Sequence, residues 1–103
     1  MKRNYRFLAL RIRIGTDEYT KSILVVDEAG RLQSIQPIDS ELANTRYMEG
    51  KLWVLPQNVD PDATTELTTL QQGDAVTVWQ MLPYDLMQNK PLPQTRIFRV
   101  TLS

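Results

Sequence analysis

The chain has 103 residues, 42% apolar and 23% charged, with 12 basic and 12 acidic side chains and no net charge. A chain of that size makes one domain, burying roughly two-thirds of its unfolded surface, and its apolar content argues against disorder. Zero net charge removes any global attraction to nucleic acid or an anionic membrane, while the absence of cysteine and histidine excludes disulfides, the usual zinc sites and Ser-His or Cys-His nucleophiles.

The opening Met1-Lys2-Arg3-Asn4-Tyr5-Arg6, followed by Phe7-Leu8-Ala9-Leu10, has the look of a secretory signal. Arg11 and Arg13 cut its apolar run short of the roughly 7–15 residues a signal core needs. No stretch nears the ~18 apolar residues of a membrane span, so a cytoplasmic address without membrane contact is expected.

From Arg6 to Ile14 the residues alternate with a period of two, which predicts a half-buried strand. Leu8, Leu10, Ile12 and Ile14 fall on one face and Tyr5, Phe7, Ala9, Arg11 and Arg13 on the other. Gly15 to Glu18 reads as a turn. Thr20 to Asp27 holds the run Ile23-Leu24-Val25-Val26, apolar on both faces, as a central strand does. Asp27-Glu28-Ala29-Gly30 turns the chain, and Arg31 to Gln36 runs back as the second arm of a hairpin.

Asp39 to Ala43 reads as one helical turn capped by Asp39. Thr45 to Met48, then Glu49-Gly50, then Lys51 to Leu55 reads as a strand pair or as one strand bulged at Gly50, closed by Pro56. A polar connector covers 57–65. Glu66 to Leu70 leads to a turn at Gln72-Gly73-Asp74 and a strand from Ala75 to Leu82. Pro83 to Pro93, with three prolines, predicts a loop containing one helical turn at Tyr84 to Gln88. The last strand is Thr95 to Leu102, with Phe98, Val100 and Leu102 inward. No helical pattern of ten residues appears. The expected fold is all-β, a small sandwich or partly open barrel of about seven short strands, in one domain spanning 1–103. Within it, 1–56 forms an N-terminal strand set, 57–65 the connector and 66–103 a C-terminal set.

The acidic group Asp60, Asp62 and Glu66 has Pro61 between its aspartates and lacks the glycine and terminal glutamate of a calcium loop. It reads as a solvated connector, and neither a metal nor a cofactor is expected. Nothing brings two carboxylates to a common site, so no catalytic residue is expected and the protein does not read as an enzyme. Lys2, Arg3, Arg6, Arg11 and Arg13 precede the first acid, with Tyr5 and Phe7 interleaved. A β platform for single-stranded nucleic acid through Tyr5, Phe7, Arg11 and Arg13 would look like this. The plainer reading, favoured by zero net charge, makes Tyr5 and Phe7 core and sets the arginines across acidic neighbours such as Asp74 or Asp85. Trp53 and Trp79 read as core or as the cover of one end, with ligand stacking the lesser alternative. Met81, Leu82, Tyr84, Leu86 and Met87 form either a protein-binding patch or a flap over an open barrel end.

Two segments, Ser22 to Ile35 with its Asp27-Glu-Ala-Gly30 turn and Arg46 to Pro56 with Gly50-Lys-Leu-Trp-Val-Leu-Pro, together resemble the opening of metal-dependent amidohydrolases. Leu70 to Trp79 and Thr95 to Val100 are similar to those enzymes' C-terminal end. In that family the two ends pair into a composite β-sandwich beside a catalytic (β/α)₈ barrel. Here 57–65 joins them directly, and Gln57-Asn58-Val59-Asp60 stands where the family has Gly and a His-x-His metal pair. The resemblance therefore implies the composite domain alone and carries over no catalytic or metal residue. A non-catalytic binding or assembly domain is expected, meeting a protein partner or a second copy of itself through the Met81–Pro93 segment or an exposed sheet edge. A nucleic-acid-binding barrel is the alternative.

Overall fold

The computed structural model describes residues 3–38, 44–61 and 69–102, and among these the chain is all β. The strands are β1 (Asn4–Ile14), β2 (Asp17–Asp27), β3 (Leu32–Pro37), β4 (Thr45–Tyr47), β5 (Lys51–Pro56), β6 (Val76–Asp85) and β7 (Lys90–Arg99). They form one sheet in the order β3-β2-β1-β5-β6-β7, with β4 also on β1. The expected capped turn at Asp39 to Ala43, Lys2, Asp62 and Glu66 of the acidic group, and most of the stretch Glu66 to Leu70 lie outside the described residues.

β1 does not keep one face inward along its length. Phe7 and Ala9 are buried and so are Ile12 and Ile14, while Leu10 is 37% exposed. The inward face therefore changes phase across Leu10 and Arg11. β2 follows: Leu24 and Val26 belong to the core and Tyr19 packs against it, with the left-handed residue Lys21 (φ 48°) at the change. The β1–β2 ladder is broken only where Leu10 would meet Lys21. On the other side of β1, β4 and β5 both run parallel to it. Three steps along β1, from Leu8 to Arg11, match four steps from Tyr47 to Lys51. Residues 45–56 are thus one strand bulged before Gly50, the second of the two forms expected. All three strands bend at one level, the device by which a flat sheet turns a corner. The expected grouping of Leu8 and Leu10 with Ile12 and Ile14 is corrected accordingly, because strict alternation holds only as far as a strand stays unbulged.

The bend brings the two ends of the sheet together. Leu32 N–H donates to the Asp74 carbonyl (2.9 Å), Gly73 N–H to the Leu32 carbonyl (2.7 Å) and Val76 N–H to the Gly30 carbonyl (2.8 Å), around a bridge between Arg31 and Ala75. β3, β2, β1, β5 and β6 so enclose a partly closed barrel. Its interior holds Ile12, Leu24, Val26, Leu52 and Val54, all fully buried, with Phe7, Val76, Val78 and Val100 around them. Each such side chain contributes about 1.5–3 kcal/mol relative to exposure, so this interior is the main source of stability.

Asp27 fixes the β2–β3 turn. Its Oδ1 accepts from the Ala29 and Arg31 amides (2.9 Å each) and its Oδ2 from Gln33 Nε2 (3.0 Å). Residues 83–93, expected as a loop, are instead the two arms and tip of a hairpin. β6 continues to Asp85, 86–89 turn, and β7 begins at Lys90. The prolines misled because their effect depends on position. Pro91 and Pro93 lie on an edge strand, and Pro83 lies where the β6–β7 register shifts between Leu82 and Tyr84, both places where a missing N–H is tolerated. β7 extends the sheet beyond the barrel wall, so Phe98, on the inward parity with Val100, is still 47% exposed.

Candidate functional site

The outward face of the sheet is chemically distinct from the interior. In β5, Leu52 and Val54 point into the core, so Lys51 and Trp53 point out. Read across the ladders, Glu18, Arg13, Trp53, Trp79 and Arg99 stand side by side on β2, β1, β5, β6 and β7. The adjacent row is Thr20, Arg11, Lys51, Met81 and Ile97. Two tryptophans flanked by two arginines thus cross the sheet in a single line, and a row carrying Arg11 and Lys51 runs beside them.

The β6–β7 hairpin curls back over this face. Arg11 Nε donates to the Leu86 carbonyl (2.9 Å). Lys51 Nζ donates to Glu18 Oε1 (2.8 Å), Asn89 Oδ1 (2.8 Å) and Tyr84 OH (3.3 Å), and lies 5.3 Å from the centre of the Tyr84 ring. Tyr84 OH in turn donates to Asn89 Oδ1 (2.9 Å). The Lys51 side chain is only 5% exposed, and its three donor protons are all engaged. A buried ammonium is tolerated when it is fully bonded and faces a carboxylate, so this cluster fastens the hairpin tip to the sheet. Beside it opens a cavity of about 290 Å³ lined by Arg13, Glu18, Lys51, Trp53, Met81, Tyr84, Asn89 and Pro91.

The residues singled out from sequence divide between the two faces. Tyr5 packs against the core and Phe7 is 3% exposed, inside it. Arg11 and Arg13 stand on the outward face beyond the phase change. Tyr5, Phe7, Arg11 and Arg13 therefore do not share a platform, and the bend at Leu10 is the reason. Near the start of β1 a separate cleft of about 440 Å³ gathers Arg3, Arg6 and Arg46 with Tyr5, and Arg3 stacks on the Tyr5 ring (5.4 Å to the centroid). Of the expected partner patch, Met81, Leu82, Tyr84 and Leu86 are partly buried as parts of the curled hairpin, and only Met87, 93% exposed, stands clear. Trp53 and Trp79 lie outside the core, opposite each other.

Lys51, Glu18, Asn89 and Arg99 were not legible as site residues. For Lys51 the signal was present: a single charge at the head of the apolar strand Lys51-Leu52-Trp53-Val54-Leu55, where charge is rare unless paired. Comparison with known proteins adds no neighbour, since no protein-family model, curated protein or solved structure matches the chain. No helix among the described residues is long and apolar enough to cross a membrane.

Proposed function

We propose that this is a non-catalytic binding domain that takes an extended segment of a partner protein as an added strand on β7. The observation carrying the reading is the state of that edge. β7 ends the sheet, and Val100 N–H bonds to the Val78 carbonyl. Alternation along an antiparallel ladder then turns the main-chain groups of Ile97 and Arg99 away from β6, toward solvent. Ile97 and Phe98 are 39% and 47% exposed beside them, so an incoming strand finds both hydrogen-bonding groups and apolar contact.

Charge selects the occupant. β7 carries Lys90, Arg96 and Arg99 and no acid, so two copies paired edge to edge would crowd cations with nothing to balance them. A segment alternating acidic and β-branched residues fits instead. The likeness to the amidohydrolase composite domain belongs to this proposal. It is supported by the two quoted halves meeting on adjacent antiparallel strands, with Trp53 opposite Trp79.

Light scattering on the chain alone, followed by titration with labelled alternating Glu-Val and Lys-Val peptides, tests the reading. A monomer that binds only the acidic peptide, with slowed hydrogen exchange at Ile97 and Arg99, supports it. A stable dimer through β7 replaces it with self-assembly, and indifference to both peptides sinks it.

A further inference from the structure

The cavity beneath the hairpin has hydrogen-bonding capacity left over, and nearly all of it is of one kind. Lys51 can only donate, so the Asn89 atom facing it is its carbonyl oxygen, and the Tyr84 hydroxyl must be the donor to that same oxygen. This leaves Asn89 Nδ2 without a partner among the described residues. Arg13 Nε donates to the Gly15 carbonyl (3.3 Å) and stands 4.0 Å from Glu18 Oε1. Its two terminal nitrogens have no protein partner among the described residues, and its side chain is 30% exposed at the cavity wall. Against these donors, the side-chain acceptor left uncommitted among the described lining residues is the second oxygen of Glu18, whose side chain is 35% exposed and open to water. The charged lining groups are Arg13, Lys51 and Glu18, which sum to one positive charge.

We propose that this cavity is a binding site for a small monocarboxylate with a planar or apolar body. The carboxylate accepts from the forked terminal nitrogens of Arg13, the geometry in which guanidinium and carboxylate make two parallel charge-assisted bonds. The body lies against Trp53, Met81 and Pro91. A single anionic charge balances the lining. At about 290 Å³ the cavity is at the small end of ligand sites, which fits a one-ring acid and excludes a nucleotide. The site meets β7 only at Pro91, away from the Ile97 and Arg99 edge groups, so either can fail without the other.

The probe is phenylacetate, with phenethylamine as its cationic counterpart, read by the two indole N–H resonances that Trp53 and Trp79 give in a ¹⁵N–¹H spectrum. Phenylacetate is expected to shift the Trp53 resonance saturably and more than that of Trp79, which does not line the cavity. Phenethylamine is expected to shift neither. Arg13→Met keeps the aliphatic stem and is expected to weaken phenylacetate about tenfold or more, as loss of a charge-assisted pair does, while circular dichroism and the melting midpoint stay close to those of the parent. Arg13→Lys, which keeps the charge without the fork, recovers only part of the affinity. No saturable shift with phenylacetate, equal binding of the amine, or unchanged affinity in a folded Arg13→Met chain overturns the assignment. Should Arg13→Met not fold, the amine comparison and the location of the shift on the parent chain decide it.

Discussion

Trp53 and Trp79 are direct cross-strand partners on β5 and β6, and among the described residues neither buried indole N–H has a hydrogen-bond acceptor. The pair joins the N-terminal and C-terminal strands of the sheet by contact area while leaving two donors unpaired. An orphaned buried donor costs about 1–3 kcal/mol. Trp79→Phe deletes one of them and keeps a ring, so stability within about 1 kcal/mol of the parent, or above it, is expected. Trp79→Ala, which also removes the packing of a half-buried ring, should lose about 2–3 kcal/mol. Urea unfolding of the two variants checks the contrast.

Gly50 and Gly73 make a second contrast. Both have positive φ, 80° and 95°, but a Cβ at Gly50 would run into the Met81 carbonyl, while at Gly73 nothing lies within 4 Å. Gly73→Ala should therefore cost only backbone strain, about 1–2 kcal/mol. Gly50→Ala must also push β6 away from the bulge and is expected to cost about 3 kcal/mol or more. Thermal melts of both variants decide whether the close approach or the dihedral dominates.

Lys51→Met keeps the length of the buried side chain and removes its charge. Glu18 can turn to water, and Tyr84 still donates to Asn89, so a loss of about 1–2 kcal/mol is expected rather than collapse. Its signature is local. Amide exchange in the 86–89 turn should accelerate more than in β1 or β2, because Lys51 fastens that turn to the sheet. Uniform acceleration would show that the cluster is not a local clamp.

Asp27→Ala strips three hydrogen bonds from the β2–β3 turn. Two of the donors are backbone amides, which a shifted turn must leave to water, and about 2–3 kcal/mol is expected. Asp27→Asn retains an acceptor oxygen for the amides and should fall between that variant and the parent. Denaturant midpoints compared at equal slope measure both.

The strands themselves could be read because their signals are local. The run Ile23 to Val26, the Asp27–Gly30 turn and the alternation from Ala75 to Leu82 each needed only neighbouring residues. What failed had its cause elsewhere in the chain. Nothing around Leu10 announces a phase change, since the bend is imposed jointly by Lys21 on β2 and the extra residue before Gly50. The same displacement moved Arg11 and Arg13 away from Tyr5 and Phe7. The hairpin at 83–93 was hidden because Pro91 and Pro93 are harmless only on an edge, and edge position is a property of the whole sheet. The Lys51 cluster joins residues 18, 51, 84 and 89, which no spacing rule connects.

At the far side of the barrel, Gln57 N–H bonds to the Ala75 carbonyl (3.0 Å) and Pro56 pairs with Val76. The chain therefore leaves β5 and returns to β6 through a single doorway. Closing a longer loop across that doorway costs little, about 0.6 kcal/mol for each doubling of its length. A folded guest with adjacent termini, inserted in the connection from β5 to β6, should lower the host's melting midpoint only slightly. The domain is, in this respect, a frame into which a second protein can be set without being rebuilt.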